Sequence, residues 1–91
     1  MMLKTITIVV TGKVQGVYYR QSTKDRARQL NITGEVRNVA GDSVLIIATG
    51  VEEKLNQLID WCQQGPPRAR VVNVIIKETD LRIFEKFSIV H

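Results

Sequence analysis

The stretch KTITIVVTGKVQGVYYR, residues 4–20, contains the change of pattern that decides how the chain folds. Its first half alternates, with Ile6, Ile8 and Val10 on one face and mainly threonines on the other, which is the pattern of a β-strand with one buried face. Two glycines then interrupt the alternation, and from Arg20 onward apolar residues recur at helical spacing. The stretch therefore predicts a strand, a glycine-containing loop and a helix in direct succession.

The first helix is predicted to bury a thin stripe of side chains that recur every three or four residues: Tyr19, Thr23, Ala27 and Leu30. Asn31 and Gly34 bracket its expected end. Short strands follow over residues 35–39, with Val36 facing inward, and over residues 44–49. Since only a short turn separates them, and Gly41 can supply the positive φ that such a turn often needs, the two strands are predicted to pair as a hairpin.

The second helix has the clearest pattern, one continuous apolar stripe formed by Val51, Leu55, Leu58, Ile59 and Cys62. Thr49 and Glu52 have the spacing of a capping box, with Gly50 as the alternative cap. Gly65 is expected to end the helix in a left-handed turn before two prolines. A fourth strand over residues 71–77 and a short one over residues 87–90 complete the chain.

This order of elements predicts an α+β fold, the ferredoxin-like βαββαβ split sandwich, with an antiparallel sheet and two helices on one face. The chain has 91 residues, enough for one domain spanning residues 1–91. The net charge is +4, which suits an anionic ligand. The one cysteine fits a reducing compartment, and no apolar run is long enough for a membrane helix. We expect a cytoplasmic monomer that binds neither membrane nor nucleic acid.

The loop from Gly12 to Arg20 is the first candidate site. Amides at the start of a helix have no intrahelical acceptor, and the helix dipole favours negative charge there. Gly16 lets the loop curl so that successive N–H groups point into one concavity, and Arg20 adds a planar fork of donors. Asn38 is the second candidate, because strand alternation places its amide on the same face as Val36. A plain connection with a surface arginine and a turn-forming asparagine are the alternative interpretations.

Together these segments resemble the two signatures of the acylphosphatase family. Residues 12–20, GKVQGVYYR, are similar to its G-x-V-Q-G-V-x-[FY]-R motif, and residues 34–38, GEVRN, to its G-x-V-[RK]-N motif. The resemblance implies a hydrolase that converts an acyl phosphate to a carboxylate and inorganic phosphate without a metal or other cofactor. Arg20 and Asn38 would be its catalytic residues, Arg20 holding the phosphoryl group and Asn38 orienting water. The backbone amides that would bind phosphate, or a similar anion, are those of Gln15, Gly16, Val17, Tyr18, Tyr19 and Arg20.

Some positions depart from the family pattern. Glu35 stands where tryptophan is usual, although strand alternation directs it away from Asn38. The turn has Gly41-Asp42 instead of Asp-Gly, and His91 is expected to be frayed.

Two other functions are compatible with this order of elements. An RNA-recognition module shares this fold order but stacks bases on aromatic residues of its two central strands, and residues 5–11 and 44–49 contain none. A non-catalytic anion-binding domain of the same fold is the remaining alternative.

Overall fold

In the computed structural model, which describes residues 2–91, five strands and two helices follow one another in the predicted order. They are β1 (Leu3–Lys13), α1 (Tyr19–Gln29), β2 (Thr33–Val39), β3 (Ser43–Val51), α2 (Glu52–Gln64), β4 (Arg70–Thr79) and β5 (Phe87–Ile89). Met1, the first residue of the predicted domain, lies outside the described residues.

The sheet has the strand order β4-β1-β3-β2-β5, so β1 and β3 are its central strands. The pairs β1–β3, β1–β4 and β2–β3 are antiparallel, as predicted. The final strand differs, because β5 pairs with β2 in parallel, with Val36 opposite Ile89. The prediction of an entirely antiparallel sheet was therefore wrong at this edge. A strand of three residues has too short a pattern to show its direction.

Both helices pack on one face of the sheet, where the core lies. The predicted inward residues of β1 and β2 are buried there, and Val36, Ile8 and Val10 are fully enclosed. Helix α2 contributes Leu55, Leu58 and Cys62 to the core, as its stripe predicted. Burial of this apolar surface is the main stabilising contribution to such a fold.

The start of α2 differs from the prediction. Its N-cap is Val51, and no side chain caps it. Thr49 was predicted to form a capping box, but its hydroxyl is buried on the other face of the sheet and donates to the Arg82 carbonyl at 2.7 Å. The Arg82 amide in turn donates to Thr5 Oγ1 at 2.9 Å. The segment between β4 and β5 thus crosses this face, and a contact so distant in sequence overrides the local capping pattern.

Candidate active site

A β-bulge lies near the end of β1, just before the loop that leads to α1. The register of β1 with β4 shifts between Thr11 and Gly12, and Gly12 and Lys13 still pair with β4 beyond the shift. A Cβ at Gly12 would lie 2.2 Å from the Arg70 carbonyl oxygen, so no larger residue fits this close approach. The first glycine of the motif thus allows two strands to approach closely at the base of the loop.

Apolar side chains of the loop point into the core and hold its backbone at the surface. Val14, Val17 and Tyr19 are all at least 95% buried, whereas Gly16 and Tyr18 are exposed. The backbone curls through positive φ at Gly16 (73°) and at Tyr18 (65°). A left-handed tyrosine is uncommon and costs conformational energy, and the sequence gives no sign of it. Its buried neighbours on both sides hold it in this conformation.

The start of α1 has the features of an anion site. Its N-cap is Tyr18, which makes no side-chain cap, and its first turn contains no acidic residue. The first helical hydrogen bond runs from the Ser22 amide to the Tyr18 carbonyl at 3.0 Å, which leaves the preceding amides without an intrahelical acceptor. Helix α2, by contrast, has Glu52 and Glu53 in its first turn. The positive end of the α1 dipole is therefore not neutralised by its own side chains.

A cavity of about 440 Å³ opens in front of this helix end. Its walls include four of the predicted site residues, Gly16, Tyr18, Tyr19 and Arg20, together with His91. The sequence predicted a frayed end at His91, and in the structure its exposed side chain places Nδ1 3.4 Å from the Arg20 guanidinium. Three other predicted residues are not part of the cavity wall: Gln15, Val17 and Asn38. Val17 is buried beneath the loop, and the other two lie toward the β2–β3 hairpin.

Asn38 lies near the end of β2, opposite Val44 of β3. Its Oδ1 is buried and has no hydrogen-bond partner among residues 2–91. Such an acceptor is available for a hydrogen bond from a water or a ligand. The parallel pairing continues past β5, where the Val90 amide donates to the Val36 carbonyl at 2.9 Å. This pairing brings the residues after Ile89, and with them the cavity wall, toward the end of β2 that carries Asn38.

Gln15 joins the loop to the hairpin through its side chain. Its Nε2 donates to three carbonyl oxygens of the β2–β3 turn, those of Val39 and Gly41 at 3.1 Å and of Ser43 at 2.9 Å. From the sequence, only the backbone amide of this residue was predicted to contribute to the site. No local signal predicts the side-chain contacts, because the acceptors lie on a turn that follows a whole helix and strand. The contacts fix the loop relative to the residue beside Asn38.

Glu35 does face away from Asn38, as strand alternation predicted. Its side chain pairs with Arg37 and lies 3.9 Å from the Arg82 guanidinium, on the face of the sheet opposite the helices. These two cations offset its negative charge. The change from the usual tryptophan therefore does not place a carboxylate among the residues that line the cavity.

The buried titratable groups of the core belong to the packing and not to the site. The Tyr19 hydroxyl donates to the Cys62 carbonyl at 2.8 Å, and the Tyr19 and Trp61 rings lie 5.4 Å apart. Burial raises the pKa of the Cys62 thiol to about 12 and also raises the pKa of Tyr19. A thiol in this state is a poor nucleophile, which agrees with its predicted place in the core.

Two further features of the described chain bear on its class. Among residues 2–91, no three His, Cys, Asp or Glu side chains are grouped so that they could hold a metal ion. Within the same range, neither helix has the length and apolar character that crossing a bilayer requires.

The fold and the candidate site define an α+β sandwich in which a glycine-containing loop leads to an uncapped helix N-terminus beside a cavity. Comparison with known proteins narrows this class. A sequence model of the acylphosphatase family matches residues 6–89. A protein of Marinobacter nauticus named acylphosphatase is 49% identical over 71 residues, which are 78% of this chain and 77% of that protein. The chain belongs to the acylphosphatase family.

Solved structures of relatives confirm the fold. An acylphosphatase structure from Coxiella burnetii superposes with a TM-score of 0.94 at 34% identity and covers 97% of this chain and 93% of its own. The acylphosphatase crystal structure from Bacillus subtilis gives a TM-score of 0.93 at 32% identity, covering 99% of this chain and 100% of its own. The predicted ferredoxin-like fold, with two helices on one side of the sheet, is thereby confirmed.

Proposed function

We propose that this chain hydrolyses the carboxyl–phosphate bond of acyl phosphates, giving a carboxylate and inorganic phosphate. One observation carries the assignment to this site: the uncapped start of α1 and the Arg20 guanidinium face the same cavity. An anion bound there meets a helix dipole, free amides and a planar fork of donors together. Relatives over most of the chain are named acylphosphatase, which favours an enzyme over a non-catalytic anion-binding domain.

In the proposed reaction the phosphoryl group lies against the backbone amides of residues 15–20 and is held in bidentate fashion by Arg20. Charge in the transition state spreads over the equatorial phosphoryl oxygens. The amides are fixed by the buried side chains of Val14 and Val17, so they stabilise that charge without reorganising. This arrangement acts on the charge that develops during the reaction and requires no covalent intermediate.

Asn38 is assigned the role of orienting the attacking water. Its Oδ1 accepts a hydrogen bond from water, and the water oxygen attacks phosphorus in line with the carboxylate leaving group. A new P–O bond forms as the P–O bond to the acyl carboxylate breaks, and the proton of the water passes to a phosphoryl oxygen. The carboxylate leaves without protonation because it is a stable anion. The scheme uses no metal, and Gln15 keeps the loop and Asn38 in register.

The oligomeric state, the cellular compartment and the partners of the enzyme are also part of the proposal. The buried apolar residues form one core, which supports a single domain, and we expect it to be a monomer. Cys62 is a free buried thiol, which suits the reducing cytoplasm. The central strands β1 and β3 contain no aromatic residue, which disfavours RNA as a partner. Inorganic phosphate, the product, is expected to bind the loop in competition with substrate.

Hydrolysis of benzoyl phosphate in ¹⁸O-labelled water tests the direction of attack. If water attacks phosphorus, the label appears in inorganic phosphate and the benzoate carries none. Label in benzoate above the uncatalysed background would mean attack on the carbonyl carbon and would contradict the role given to Asn38. Mass spectrometry of both products, with a reaction lacking protein as control, distinguishes the two results.

A further inference from the structure

His91 lies in the wall of the cavity that holds Arg20. Its Nδ1 is 3.4 Å from Arg20 Nη1, a solvent-exposed side-chain hydrogen bond. The backbone of this segment is held beside β2, because Val90 donates to the Val36 carbonyl at 2.9 Å. The residue immediately before His91 is thus fixed by a backbone hydrogen bond.

The chemistry of the two groups fixes the direction of this hydrogen bond. A guanidinium has five N–H donors and no acceptor, so the imidazole must accept. Nδ1 can accept only when it carries no proton, which places the proton of the neutral ring on Nε2. An acceptor on one edge of the guanidinium limits rotation about the long arginine side chain. The remaining donors of the guanidinium stay available for an anion.

We propose that His91 is a positioning residue for Arg20, holding the guanidinium in the orientation that grips a phosphoryl group. The inference rests on the proposed function and deepens it.

Two variants separate the acceptor from the rest of the ring. His91→Ala removes the acceptor, and His91→Asn keeps an acceptor oxygen near the position of Nδ1 but does not titrate. We expect His91→Ala to raise KM for benzoyl phosphate and the Kd for inorganic phosphate roughly threefold to tenfold, because the variant loses a modest charge-assisted hydrogen bond. We expect kcat to change less than about twofold, since Asn38 is untouched, and His91→Asn to restore phosphate affinity. Glu85→Ala, an exposed change just before β5, is the matched control.

Two results would overturn the proposal. The first is a phosphate affinity in His91→Ala equal to that of the native protein. The second is an equal loss of phosphate affinity in His91→Asn and His91→Ala.

Phosphate binding followed by ³¹P NMR keeps this test independent of turnover. If the native protein did not hydrolyse benzoyl phosphate, the proposed function would fail. The Kd for inorganic phosphate in the two His91 variants would still decide whether His91 positions Arg20.

Discussion

Replacing Gln15 by leucine removes the amide that joins the phosphate loop to the β2–β3 turn while keeping a side chain of similar size. Nε2 contacts three carbonyl oxygens, at 3.1, 3.1 and 2.9 Å, but carries two hydrogens, so about two full hydrogen bonds are lost. At a net contribution of about 0.5–1.5 kcal/mol each, Gln15→Leu should lower the free energy of unfolding by about 2 kcal/mol. For a domain of this size the melting temperature would fall by roughly 8–16 °C.

The same change should reduce catalysis beyond its effect on stability. The bonded turn begins directly after Asn38, so its release changes the distance between the water and the phosphoryl group. A displacement of this kind lowers kcat by roughly 10- to 100-fold, with a smaller change in phosphate affinity. Gln15→Glu keeps the shape but directs oxygen at three carbonyl oxygens, and it should be more destabilising than Gln15→Leu.

Urea unfolding and benzoyl phosphate kinetics measure the two effects. The control is Ile46→Val, which removes a methylene group from the core at a cost of about 0.5–1.5 kcal/mol and should leave kcat unchanged in the folded protein. If Gln15→Leu lost less than about 0.5 kcal/mol and kept its kcat, the contacts would not join loop and hairpin and the reasoning would fail.

Three other perturbations give distinct results. Asn38→Ala should keep its affinity for inorganic phosphate, measured by ³¹P NMR, while kcat falls roughly 100-fold, and weakened phosphate binding would contradict the assigned role. Tyr19→Phe removes the hydrogen bond to the Cys62 carbonyl, 2.8 Å long, and should cost about 1 kcal/mol in urea unfolding. Burial raises the pKa of the Cys62 thiol in the folded protein to about 12. In the unfolded chain the thiol loses its proton at a lower pH, about 8.5. The stabilisation is therefore complete below that pH and is lost as the pH rises toward 12. When melting temperatures are measured at increasing pH, the melting temperature of Cys62→Ala should fall less at alkaline pH than that of the native protein. The remaining fall is attributed to Tyr19, whose pKa burial also raises.

Much of the fold could be predicted because the decisive patterns are local. The alternation of β1 and the stripe of α2 each bury one face, and the structure places those faces in the core. Gly65 follows the last residues of α2 with φ of 68°, and Gly41 turns the hairpin with φ of 82°. In each case the residue type and its neighbours are enough to specify the conformation.

The features that could not be predicted depend on residues far apart in sequence. Thr49 has the spacing of a helix cap, but its hydroxyl bonds a carbonyl of the later segment. Tyr18 takes a left-handed conformation because the buried residues on both sides of it constrain the backbone. The side chains of Gln15 and His91 contact residues that lie 24 or more positions away along the chain. Spacing alone contains no information about such partners.

The candidate site shows the same division. The two motifs indicated Arg20, Asn38 and the loop amides, and the structure joins Arg20 to a cavity at the helix start. The buried, unpaired Oδ1 of Asn38 is a fact of packing that sequence reasoning could not supply. The roles of these residues stay predictions until they are measured.

Hydrolysis of benzoyl phosphate by the native protein and by Arg20→Ala, both in excess EDTA, tests the central claim most directly. The account predicts turnover that persists in EDTA and is lost in Arg20→Ala, together with its phosphate binding. Absence of turnover in a native protein that circular dichroism shows to be folded would contradict the claim. Full activity in Arg20→Ala would contradict the site assigned to it.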